Sequence, residues 1–181
     1  MVLAIWRLEF LYLVCLTTIR QIIFSKMATG SVSVLYGNAS SPFLSFTGSQ
    51  LWTQDSPDIA GTAEGIDGPP FGCPSQGDCF GTAIGAGDFN GDGKTDLAIG
   101  VPGEDIALRG FTNSDLDQGM VNVIYGCANN PAAGLCSTGN QSWSQDSSGI
   151  EDGSEVGDFS GLQVHGGEHN SDSEDFSAFV N

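Results

Sequence analysis

Apolar and polar positions alternate in short bursts along most of this chain. Val32, Val34 and Tyr36 alternate with Ser33 and Leu35, and Val121, Val123 and Tyr125 alternate with Asn122 and Ile124. A period of two is the mark of a strand with one face turned to a core. Each burst is bounded by Gly, Asn, Asp or Ser, and no stretch beyond Met27 sustains a helical period. The pattern predicts an all-β chain with strands near 30–37, 50–54, 80–87, 96–101, 119–126, 141–145, 160–166 and 175–180.

The bursts recur in a fixed order. GSVSVLYG (Gly30 to Gly37) returns as GMVNVIYG (Gly119 to Gly126), 89 residues on. GSQLWTQDSPDI (Gly48 to Ile59) returns as GNQSWSQDSSGI (Gly139 to Ile150), 91 residues on. GDCFGTAIGAGD (Gly77 to Asp88) returns in weaker form as GDFSGLQVHGGE (Gly157 to Glu168), 80 residues on. One unit has been duplicated, and the first copy carries an insertion of 11 residues around GPPFGCPSQ. A repeat of this length is one supersecondary unit that buries its apolar face against its neighbours. Four antiparallel strands per unit is the blade of a β-propeller. Read in that register, 27–181 is a propeller fragment: a half blade at 30–79, a full blade at 80–146 and a partial blade at 147–181. The half blade is expected to expose a strand edge.

Residues 1–26 differ from the rest. Phe10 to Ile19 is an apolar run of ten, closer to a signal-peptide core than to a membrane span of about 20 residues. The apolar MVLAIW start and Glu9 beside Arg7 suit export poorly. A signal, an anchor and a mis-assigned start all stay open for this segment.

Charge sharpens the contrast. The net charge is −17, and all acids but Glu9 lie beyond Met27, where only Lys94 and Arg109 are basic. Such a body repels nucleic acid and anionic membranes. Neither nucleic-acid binding nor membrane insertion by the propeller is expected. A compact form of this charge is also self-repelling unless cations bind; solubility or salt adaptation is the plainer reading.

The densest acidic stretch is GDFNGDGKTDLAIGVPG, Gly87 to Gly103. Its GKT lacks the glycine that a phosphate loop needs at position 88, and its GAG at 85–87 lacks the later glycine of a dinucleotide fingerprint. LAIGVPG opens no helix after either. A divalent cation fits better. Asp88, Asn90, Asp92 and Asp96 stand at positions 1, 3, 5 and 9 of one loop, and the Lys94 carbonyl stands at position 7. Hard cations such as Ca²⁺ take six to eight oxygens of this mixed kind. Zinc, which favours nitrogen and sulfur, does not suit the set. Ile99 at position 12 excludes an EF-hand. A solvated Asp/Asn/Gly turn without an ion is the alternative.

Phe80-Gly81, DFNGDGKTD (Asp88 to Asp96) and Gly100-Val101-Pro102 together resemble the FG-GAP repeat of integrin α-subunit propellers and bacterial surface proteins. The resemblance covers about residues 30–181. It implies a propeller blade with Ca²⁺ in the first hairpin, held by Asp88, Asn90, Asp92, Asp96 and the carbonyl of Lys94. The third copy, EHNSDSED (Glu168 to Asp175), replaces both loop glycines with Ser171 and Ser173 and is one residue shorter; a weak or lost site is expected there. The full propeller of the family has seven blades, so further blades are expected from other chain.

Catalytic patterns are weak. HGGEH (His165 to His169) has a zinc-protease spacing, but two glycines oppose the helix it needs. No enzyme activity is expected. Four cysteines form two close pairs, Cys73/Cys79 and Cys127/Cys136, in Gly/Pro/Asn-rich insertions. Local disulfides and an oxidising compartment are expected, with free thiols as the alternative. The expected function is a Ca²⁺-binding propeller fragment of a secreted or cell-surface adhesion protein, with a protein or glycan ligand that the residues do not name. Two rivals remain: the accessory propeller of a secreted hydrolase, and a truncated product with no independent role.

Overall fold

A computed structural model describes residues 11–15, 20–24, 29–37, 44–64, 77–106, 117–127, 134–151, 153–164 and 166. Its eight strands are β1 (Leu11–Cys15), β2 (Arg20–Phe24), β3 (Val32–Gly37), β4 (Leu44–Trp52), β5 (Ile84–Gly87), β6 (Asp96–Val101), β7 (Met120–Gly126) and β8 (Leu135–Trp143). All pairings are antiparallel. The sheets are β1-β2, β3-β4 and β5-β6-β7-β8. The last has four antiparallel strands in chain order, from Ile84 to Trp143, the arrangement of a propeller blade. The propeller is not closed.

The blade is buried on both faces, which explains why every residue of β6 is buried. On one face Leu97, Ile99, Val101, Met120 and Ile124 pack with Val32, Val34, Trp52 and Phe80. Ala98, Val121 and Val123 point the other way, where Phe89, Tyr125, Trp143 and Val164 lie against them. This strict exchange of faces follows from the period-two side-chain geometry of a strand. It buries apolar surface against two neighbours at once, which stabilises the sheet.

The repeat is exact in backbone detail. Gly30 forms a parallel bridge to Phe80, and Gly119 forms one to Ser160. Thr53 and Ser56 shape a turn through Thr53 N–H to Ser56 Oγ at 3.0 Å, and Ser144 N–H to Ser147 Oγ repeats it at 2.9 Å. Cys79 and Phe159 share a left-handed backbone, φ 60 and 52. Ser160 thus takes the backbone place of Phe80 without its side chain.

Two strands begin earlier than the sequence predicts, β4 at Leu44 rather than 50 and β8 at Leu135 rather than 141. A bulge accounts for both. Val34 pairs with Gln50 while Tyr36 pairs with Ser45, and Val123 pairs with Gln141 while Tyr125 pairs with Cys136. The extra residues carry Gly48 (φ 79) and Gly139 (φ 81), whose left-handed backbone breaks the alternation.

The N-terminal segment contributes a hairpin. Part of its apolar run forms β1, which pairs with β2 from Leu11↔Phe24 to Cys15↔Arg20. β2 lies alongside β3. The edge expected to be bare at the half blade therefore has a hairpin beside it. No helix among the described residues is long and apolar enough to cross a membrane, a statement that leaves β-barrels aside.

Candidate metal loop and a buried acidic cluster

The loop between β5 and β6 coils because its own oxygens bind its own N–H groups. Asp92 N–H donates to Asp88 Oδ1 at 3.0 Å and to Asn90 Oδ1 at 2.9 Å. Gly93 N–H donates to Asp88 Oδ2 at 2.8 Å, and Lys94 N–H to Asp92 Oδ1 at 2.9 Å. Gly91 (φ 74) and Gly93 (φ 82) supply the left-handed turns this path demands. The oxygens of positions 1 and 3 thus converge on a single N–H at position 5. A cation is already present on the central carboxylate: Lys94 Nζ sits 2.9 Å from Asp92 Oδ2. It holds the Asp92 carboxyl below the usual carboxylate range, first by that hydrogen bond.

Asp96 plays a different part. It is fully buried. Its Oδ2 accepts from Phe89 N–H at 2.9 Å and its Oδ1 from Gly126 N–H at 2.8 Å. Burial pushes its carboxyl up; the two N–H donors oppose this, and the charges of Asp92 and Asp88 add to it. Asp88, Asn90, Asp92 and Lys94 lie in the loop, while Asp96 opens β6 and faces inward as a strut. Among the described residues no group of three or more His, Cys, Asp or Glu side chains gathers as a metal cluster. The donor set fits a hard cation in kind: carboxylate, amide and main-chain oxygens, free of sulfur and imidazole. Glu168 to Asp175 and His165 lie outside the described residues.

Cys127 and Cys136 are bonded, closing the β7–β8 hairpin with Cα atoms 5.4 Å apart. Cys79 is also disulfide-bonded. Cys73 lies outside the described residues.

Sequence reasoning missed a second acidic group. Asp78 is fully buried and Glu104 is 7% exposed, where the segments following β4 and β6 meet the approach to Phe80. Gln54 Nε2 donates to Glu104 Oε2, and Glu64 N–H donates to Asp78 Oδ2. Burial, foremost, pushes Asp78 up to about 8 and Glu104 up to about 7; the charges of Glu64 and Asp105 add to both shifts. The available signal was the repetition of polar letters, Gln54 as Gln145 and Asp78 as Asp158.

Residues 80–121 match the family model described as FG-GAP repeat. No curated protein and no solved structure matches the chain.

Proposed function

Residues 80–121 are an FG-GAP repeat, the unit of β-propeller-type binding domains, and from that premise we propose that this chain is a calcium-binding piece of a propeller that works outside the cell in adhesion or ligand binding. One observation carries the metal reading: Asp88 Oδ1 and Asn90 Oδ1 meet at the same N–H, beside a carboxylate that has already recruited the Lys94 ammonium. Asp88, Asn90, Asp92, Asp96 and the Lys94 carbonyl would hold the ion. Its chemistry there is charge neutralisation, which fixes the β5–β6 hairpin; no bond is made or broken. The disulfide of Cys127 with Cys136 supports an oxidising compartment.

The test is the melting temperature of the full chain in millimolar Ca²⁺ and in chelator. Stabilisation grows as RT ln(1 + [L]/Kd), about 2.7 kcal/mol at a hundredfold excess over Kd. Asp92→Ala should lose the loop's share of the rise, and Asp172→Ala should lose little. Equal melting temperatures for the wild type in both buffers would leave a solvated turn as the better account.

A further inference from the structure

The buried acidic cluster has only part of what buried charges need: one oxygen of Asp78 and one of Glu104 accept a hydrogen bond. Ionised carboxylates out of water are stable only when paired, hydrogen-bonded or bound to metal. The one ion pair among the described residues joins Lys94 to Asp92, in the loop. Asp78 Oδ1 and Gln54 Oε1 are buried with no hydrogen-bond partner. Their residues are 0% and 2% exposed. Gln54 touches Glu104 directly. Asp78 joins them through its backbone: its N–H donates to Glu64 O at 3.2 Å and its carbonyl accepts from Gly103 N–H at 3.1 Å, so the segment after β4, the approach to Phe80 and the turn after β6 meet here. A side chain at Gly61 would press on Glu104 Oε2 and Oε1 at 2.9 and 3.0 Å, so the chain leaves glycine where it passes the carboxylate.

The oxygens that remain are carboxylate and amide, the donor chemistry of a hard cation. Half of the arrangement recurs in the next copy. Gln145 Oε1 is again without a partner. Asp158 Oδ2 accepts from Glu155 N–H at 2.7 Å, as Asp78 does from Glu64. Recurrence at equivalent places makes the group a feature of the repeat unit.

We propose that Asp78, Glu104 and the Gln54 side-chain oxygen form a second divalent-cation site, of the Ca²⁺ class, where the segments following β4 and β6 meet the approach to Phe80. The loop cation would fix one hairpin; this one clamps those segments together. The proposal does not depend on the loop site, and the experiment separates them. Full-length chain carrying Asp92→Ala and Asp172→Ala removes the central carboxylate of both loop copies. Its melting temperature should still rise by several degrees from chelator to millimolar Ca²⁺. Adding Glu104→Gln should abolish that residual rise, while Glu104→Gln alone should keep the loop's share. Because Glu104→Gln changes a buried site, equilibrium dialysis of the folded double variant against Ca²⁺ gives a second reading: about one ion per chain is expected. No bound ion and no residual rise would overturn the proposal, as would a rise that survives Glu104→Gln. If the pair is held by protons instead, the double variant will respond to pH and not to Ca²⁺, which also overturns it. A failed loop reading shows differently, as a wild type and an Asp92→Ala variant with the same response.

Discussion

Asp96 Oδ1 accepts the N–H of Gly126 at 2.8 Å, joining the end of the acidic loop to the far end of β7. The two residues can approach because Gly126 has no side chain; a Cβ there would lie 2.7 Å from Lys94 Cβ. The third acid of this stretch, Asp96, is thereby a structural residue even without an ion.

Asp96→Ala should therefore destabilise the chain in chelator as well as in Ca²⁺. Two backbone N–H groups, of Phe89 and Gly126, lose their acceptor. At roughly 1–3 kcal/mol for each unsatisfied group, the loss should be about 3 kcal/mol. Asp92→Ala, on the exposed side of the loop, should cost well under 1 kcal/mol in chelator, as exposed ion pairs do. Urea denaturation of both variants in chelator measures the difference, and equal costs would refute the division of roles.

The buried acids give a pH dependence of definite sign. Asp78 and Glu104 titrate from ordinary values of 3.8 and 4.5 in the open chain to about 8 and about 7 in the folded one. The folded state thus binds more protons between these limits. In chelator, this contribution to stability should be greatest below about pH 4, fall steadily as pH rises from there, and level off above about pH 8. Glu64 and Asp105 face the pair and push the same way. Asp78→Asn should flatten the upper part of the profile. A melting temperature that climbs from pH 6 to pH 8 in chelator would contradict it.

Gly119 and Gly139 separate two costs of glycine replacement. Both have left-handed backbone, φ 78 and 81. A Cβ on Gly139 meets nothing within 4 Å, whereas one on Gly119 overlaps the backbone of Ser160. Gly139→Ala should cost about 1 kcal/mol of backbone strain. Gly119→Ala should cost clearly more, because the bridge to Ser160 must open. Thermal unfolding of the two variants side by side decides this.

Exposed apolar side chains predict association. Phe46 and Leu51 are 82% and 64% exposed on β4, and Val156 is 60% exposed beyond the blade. Exposed strand edges and apolar patches are pairing surfaces. Light scattering at micromolar concentration should show species larger than a monomer, and Leu51→Ser with Phe46→Ser should reduce them. A monodisperse wild-type monomer would count against this face as a contact.

Much of the fold was legible because β3 and β7 keep a clean alternation, and the repeat then located the blade. β4 and β8 were seen only in their last three residues. Their bulges put Gly48 and Gly139 inside the strand, where a period of two stops. The loop was legible because all its oxygens are close in sequence. The cluster around Glu104 was not, since Gln54, Asp78 and Glu104 are brought together by packing alone, and in composition they look like solvated polar letters.

The parallel bridges of Gly30 to Phe80 and Gly119 to Ser160 have a consequence for how such a chain grows. Each bridge fastens the strand pair of one copy to the opening of the next, so every joint is made by the same few atoms. A gene duplication can then begin at any phase of the period and still deliver a matching joint. The insertion around Gly68 to Gln76 lengthens the first copy without moving its bridge. Such a chain evolves by counting units, and loop length is free to drift between the fixed points.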